Sequence, residues 1–85
     1  MRKVVFENQA LEDFIAWTSE SKQNFKKIGE LLKEIQRTPF LGKGKPEPLK
    51  HELKGCWSRR ITDEHRLVYE VTNDLIVIIS CKYHY

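Results

Sequence analysis

The spacing of apolar residues divides the chain into a helical half and a strand half. "KVVF" (residues 3–6) reads as a short opening strand. Asn8 is a helix N-cap candidate, and the stretch after it places Leu11, Phe14 and Ile15 on one helical face, with Glu12, Asp13 and Glu20 turned away. "TSES" (18–21) interrupts the pattern. A second helix follows to about Arg37, its Phe25, Ile28, Leu31, Leu32 and Ile35 forming one buried stripe at spacings of three and four. Thr38-Pro39 ends it, because a residue before proline avoids helical geometry.

"FLGKGKPEPLKH" (40–51) has two Gly and two Pro among its residues and reads as a stiffened loop, a good mount for functional side chains. "CWSRRI" and "HRLVYEV" alternate as paired strands around a "TDE" turn; "LIVIIS" (75–80), apolar on both faces, belongs inside a sheet. With a short strand from "PLKHEL", the order is β-α-α-β-β-β-β. This is an α+β fold: an antiparallel sheet with two N-terminal helices on one face, in a single domain over residues 1–85. Alternation in the last strand assigns Leu75, Val77, Ile79, Cys81 and Tyr83 to the helix side. Ile76, Ile78, Ser80, Lys82 and His84 then take the other face, and the same logic puts Arg66 there with Val68 and Glu70.

Charge sharpens this picture. The net charge is only +3, yet six basic residues (Lys43, Lys45, Lys50, Lys54, Arg59, Arg60) and two acidic ones (Glu47, Glu52) lie between 43 and 60, whereas residues 1–38 carry seven basic and six acidic side chains. A local positive patch suits a polyanion such as RNA or an acidic peptide. The two cysteines, Cys56 and Cys81, fit reduced thiols of a cytoplasmic protein better than a disulfide framework. No apolar run is long enough to span a membrane.

Glu47 between two prolines, Arg66 and His84 on one face, and Lys43, Lys45, Lys50, Arg59 and Arg60 nearby make an inventory suited to RNA cleavage by the 2′-hydroxyl. That reaction needs a base, an acid for the leaving 5′ oxygen, and positive charge at the phosphorane; no metal or other cofactor is required, because the nucleophile belongs to the substrate. The same residues on a basic module that binds RNA or an acidic partner peptide without chemistry are the alternative. Cys56 and Cys81 lack a partner base. His51, His65 and His84 lack metal-ligand spacing. Trp57 is open between core packing and base stacking.

The run Arg37–Tyr69, "RTPFLGKGKPEPLKHELKGCWSRRITDEHRLVY", together with the final "YHY", closely resembles the YoeB family of bacterial toxins, within the RelE-like superfamily. The resemblance covers essentially the whole chain. It implies a small endoribonuclease with a microbial-RNase-like sheet that cleaves messenger RNA, chiefly in the ribosomal A site, and so halts translation. It also implies a YefM-like antitoxin as partner, contact with operator DNA only through the antitoxin complex, and a capacity for homodimers. By that resemblance Glu47 is the general base, Arg66 the phosphate and transition-state ligand and His84 the general acid. Tyr85 orients substrate or His84, and Lys50 and Arg60 lie near the scissile phosphate.

Overall fold

A computed structural model describes residues 1–83. Strand β1 (Lys3–Phe6) leads into helices α1 (Asn8–Glu20) and α2 (Lys22–Arg37), followed by β2 (Glu47–Pro48), a 3-10 turn at His51–Leu53, and strands β3 (Cys56–Arg60), β4 (Arg66–Val71) and β5 (Leu75–Ser80). The expected order of elements is present. The five strands form one sheet in the order β1-β5-β4-β3-β2. The sheet is mixed, which corrects the antiparallel expectation: β1 runs parallel to β5, while the other pairs are antiparallel. A parallel pair needs a long connection, and here both helices and three strands intervene in sequence.

Both helices pack on one face of the sheet. Ile28, Leu31 and Ile35 of α2 are buried against Leu67, Tyr69, Ile76 and Ile78, with Phe25 and Leu32 at the margin, as their spacing predicts. The α1 face differs from expectation. Ala10 and Trp17 are buried and Phe14 packs beside them, while Leu11 and Ile15 are exposed. The helix also continues through Thr18 and Ser19, whose hydroxyls donate to the Ile15 and Ala16 carbonyls. Ser21 then caps α2, its side chain accepting from the Asn24 N–H.

The last strand departs from simple alternation. Tyr69 pairs with Ile78, but Val68 pairs with Ser80, so Ile79 is an extra residue and forms a bulge. Before the bulge Ile76 and Ile78 face the helices, the reverse of the alternation assignment; after it Cys81 does. Lys82 also turns to the helix side, where its Nζ lies 3.0 Å from both Glu20 carboxylate oxygens. Tyr83, assigned to the core, is 58% exposed. Burial pushes the Cys81 thiol up to about 12, with Asp13 adding to the shift; Cys56 is raised for the same first reason and then by Glu70. Neither is a poised nucleophile.

Candidate active site on the sheet face opposite the helices

Cross-strand partners share a face, so register alone assembles the far side of the sheet. Glu47 pairs with Ser58, Ser58 with Val68, and Arg60 with Arg66. The loop 38–46 closes one end. In it Gly44 and Lys45 both adopt left-handed backbone conformations (φ +83 and +50), which turn the chain into Pro46 and Glu47. The Gly44 carbonyl accepts from the Arg60 N–H at 2.7 Å, tying the loop to β3. Together Gly44, Lys45, Glu47, Ser58, Arg60 and Arg66 line a cavity of about 190 Å³. The general-base and phosphate-ligand candidates therefore line one hollow, with two further cationic side chains beside them.

Two of the cations, Arg60 and Arg66, are held by the turn that joins β3 to β4. Arg66 donates from Nη1 to the carbonyls of Thr62, Asp63 and His65, and Arg60 pairs with Asp63. A guanidinium tethered on one edge keeps its other N–H groups in a fixed fork, the geometry that suits a phosphate. Lys50 is exposed and lines a neighbouring hollow with Glu47, Pro48, Leu49 and His51. Lys43 is exposed on the loop, outside the residues that line either hollow. The short strand expected from "PLKHEL" lies earlier, at Glu47–Pro48, which places Glu47 itself in the sheet edge.

Arg59 is corrected. It is fully buried on the helix side, donating to Tyr69 Oη (3.1 Å) and to the carbonyls of Lys43 (3.1 Å), Thr38 (2.6 Å) and Leu41 (2.7 Å). Tyr69 Oη in turn donates to the Pro39 carbonyl at 2.7 Å. The residue clamps the loop and does not line the cavity. Adjacent strand residues point to opposite faces, so Arg60 reaches the site because Arg59 does not. Trp57 also falls on the helix side, opposite Tyr69 and packed on Phe40, which favours core packing over base stacking.

Two side chains escaped the reading of the sequence. Ser58, fully buried opposite Glu47, forms part of the cavity wall; a single serine inside a strand carries no signal of this. His65 is buried beside Trp17 and its Nδ1 accepts the Tyr83 N–H at 2.8 Å. The two remaining candidates, His84 and Tyr85, lie outside the described residues.

The likeness to known proteins runs the length of the chain. Residues 6–85 match the model of the YoeB-like toxin of bacterial type II toxin–antitoxin systems. Toxin YoeB of Escherichia coli (strain K12) is 55% identical over 83 residues, covering 98% of this chain and 99% of that protein. A YoeB dimer from Staphylococcus aureus superposes with a TM-score of 0.92 at 50% identity, covering 99% of this chain and 98% of the other. A YoeB–YefM complex from the same organism gives 0.90 at 50% identity, covering 100% and 99%. This chain belongs to the YoeB-like toxins of bacterial type II toxin–antitoxin systems.

Proposed function

We propose that this toxin is an endoribonuclease that cuts messenger RNA, chiefly in the ribosomal A site, and thereby stops translation in the cytoplasm. The observation that carries this reading is the cavity on which Glu47, Arg66, Arg60 and Lys45 converge. A carboxylate beside two guanidinium groups and an ammonium is the equipment for moving one proton while stabilising a phosphorane.

In the proposed reaction Glu47 takes the proton of the 2′-hydroxyl. The 2′ oxygen attacks the adjacent phosphorus, and Arg66 and Arg60 stabilise the charge on the equatorial oxygens. The P–O5′ bond breaks as His84 protonates the leaving oxygen, giving a 2′,3′-cyclic phosphate and a 5′-hydroxyl. Tyr85 orients His84 or the substrate, and Lys45, Lys43 and Lys50 guide the RNA backbone. The substrate supplies the nucleophile, so the step needs no metal or other cofactor. The partner is a YefM-like antitoxin, as in the S. aureus YoeB–YefM complex, with operator DNA reached only through that complex; a homodimer is proposed from the S. aureus YoeB dimer.

Primer extension on translating ribosomes tests the reading. New message ends are expected with the parent chain. Glu47→Ala, Arg66→Ala and His84→Gln should each lower their yield by ~10²-fold or more, the scale of losing an acid–base or charge-stabilising group. Circular dichroism on Arg66→Ala controls for the turn this side chain also holds. If the parent chain produces no new ends, the same cationic cavity belongs to a non-catalytic RNA- or peptide-binding module.

A further inference from the structure

Residues Cys81–Tyr83 lead directly into His84, and the fold grips each of the three. Trp17 Nε1–H donates to the Cys81 carbonyl at 3.0 Å, and Cys81 Sγ lies 3.4 Å from the Ala10 carbonyl. Lys82 Nζ meets the Glu20 carboxylate and stands over the Trp17 and Tyr83 rings. The third grip is on backbone. The Tyr83 N–H donates to His65 Nδ1 at 2.8 Å, and its carbonyl accepts from the Arg66 N–H at 3.1 Å.

Tyr83 needs that grip. Its φ is +62, a left-handed conformation that costs a non-glycine residue about 1–2 kcal/mol. His65 is placed to supply it. The ring is buried, T-shaped to Trp17 (4.8 Å between centroids), with the Tyr83 ring at 5.3 Å. The His65 carbonyl accepts from the N–H groups of Ile61 and Thr62, so the backbone behind the ring is fixed by the β3–β4 turn. A backbone N–H can only donate, so Nδ1 is an acceptor and the imidazole proton sits on Nε2, which faces Glu64 Oε1 at 3.5 Å.

We propose that His65 is a positioning residue for the site. By accepting the Tyr83 N–H, it holds the left-handed backbone of the residue that precedes His84 in the sequence. The inference rests on reading His84 as the general acid, and it deepens that reading by naming what aims it. An apolar ring of similar size would fill the same space, but it could not accept the Tyr83 N–H. The chemistry of the acceptor, not the volume, is what the proposal makes essential.

The test separates the anchor from the nuclease reading by measuring them independently. Amide exchange at Tyr83, followed by NMR on the ¹⁵N-labelled full chain, reads the anchor; kcat and KM on programmed ribosomes read the site. His65→Phe keeps the bulk and removes the acceptor, and should speed Tyr83 exchange about tenfold or more. It should also lower kcat about tenfold with little change in KM, the pattern of a misplaced catalytic group. His65→Asn restores an acceptor near the Nδ1 position and should recover both. The parent chain gives a variant-free measurement: ring ¹⁵N shifts should show Nδ1 unprotonated and Nε2 protonated. The opposite tautomer, or unchanged Tyr83 protection in His65→Phe, would overturn the anchor. Lost Tyr83 protection with unchanged kcat would overturn the positioning role. A parent chain that cuts nothing would overturn the nuclease reading and the positioning role with it, while Tyr83 protection would still decide the anchor.

Discussion

Arg59 and Arg60 are neighbours of identical chemistry with opposite duties. One guanidinium is buried and donates to three loop carbonyls and Tyr69 Oη; the other stands in the cavity and pairs with Asp63 near solvent. Truncating the first breaks four hydrogen bonds and empties the space filled by a fully buried side chain, so Arg59→Ala should cost about 3 kcal/mol or more. Arg60→Ala loses a largely exposed ion pair and should cost no more than about 1 kcal/mol. Urea unfolding of both variants checks the contrast. Cleavage should show the reverse ranking once Arg59→Ala is assayed where it remains folded. Equal unfolding midpoints would contradict the clamp. Strand alternation made this split readable in principle: Arg59 is in step with Trp57 and Arg60 with Ser58. What concealed it was composition, since a cluster of basic residues reads as one patch until the sheet divides it.

At the scale of elements, legibility followed periodicity. The α2 stripe repeats over about three turns, and each of its apolar positions is buried or packed on the core. In α1 the apolar residues wrap further round the helix. Trp17, tied by its indole N–H to Cys81, fixes which side faces inward and leaves Leu11 and Ile15 outside. In β5 a one-residue bulge reverses the faces, and nothing in "LIVIIS" marks it. The stretch 40–51 was legible as a stiff loop from its Gly and Pro content; what holds its first part in place, the Arg59–Tyr69 clamp and Gly44, was not. A Cβ at Gly44 would lie 3.1 Å from Arg59 Cβ and 3.2 Å from both the Arg60 carbonyl and Leu31 Cδ2, on a residue with φ +83. Gly44→Ala should therefore cost about 2 kcal/mol by combining left-handed strain with crowding. Cleavage should also fall, because the same loop presents Lys45 and Glu47. Gly55→Ala is the control: its φ is +100, but its Cβ would meet open space. It should cost about 1 kcal/mol and spare activity. Indistinguishable unfolding midpoints and activities for the two variants would refute the role given to Gly44.

For the whole molecule, charge distribution matters more than total charge. A net +3 is modest, but Lys45, Arg60 and Arg66 meet at one cavity. Binding to a 2′-deoxy-substituted, uncleavable message fragment should weaken with salt. Lys45→Ala should flatten the slope of log K against log salt by about 0.7, the value of one contact to a single-stranded phosphate. Fluorescence anisotropy across a salt series measures this, and an unchanged slope would remove Lys45 from the RNA path. The sequence by itself determined the element order, the α2 core stripe, the stiff loop and the residue types of the candidate site, because each is written in local spacing or in a contiguous motif. Tertiary structure decided the parallel pairing of β1, the bulge before Cys81, the burial of Arg59 and the hold of His65 on Tyr83. These depend on strand register and on contacts between residues far apart in the chain, and a one-residue change in register exchanges the two faces of a strand.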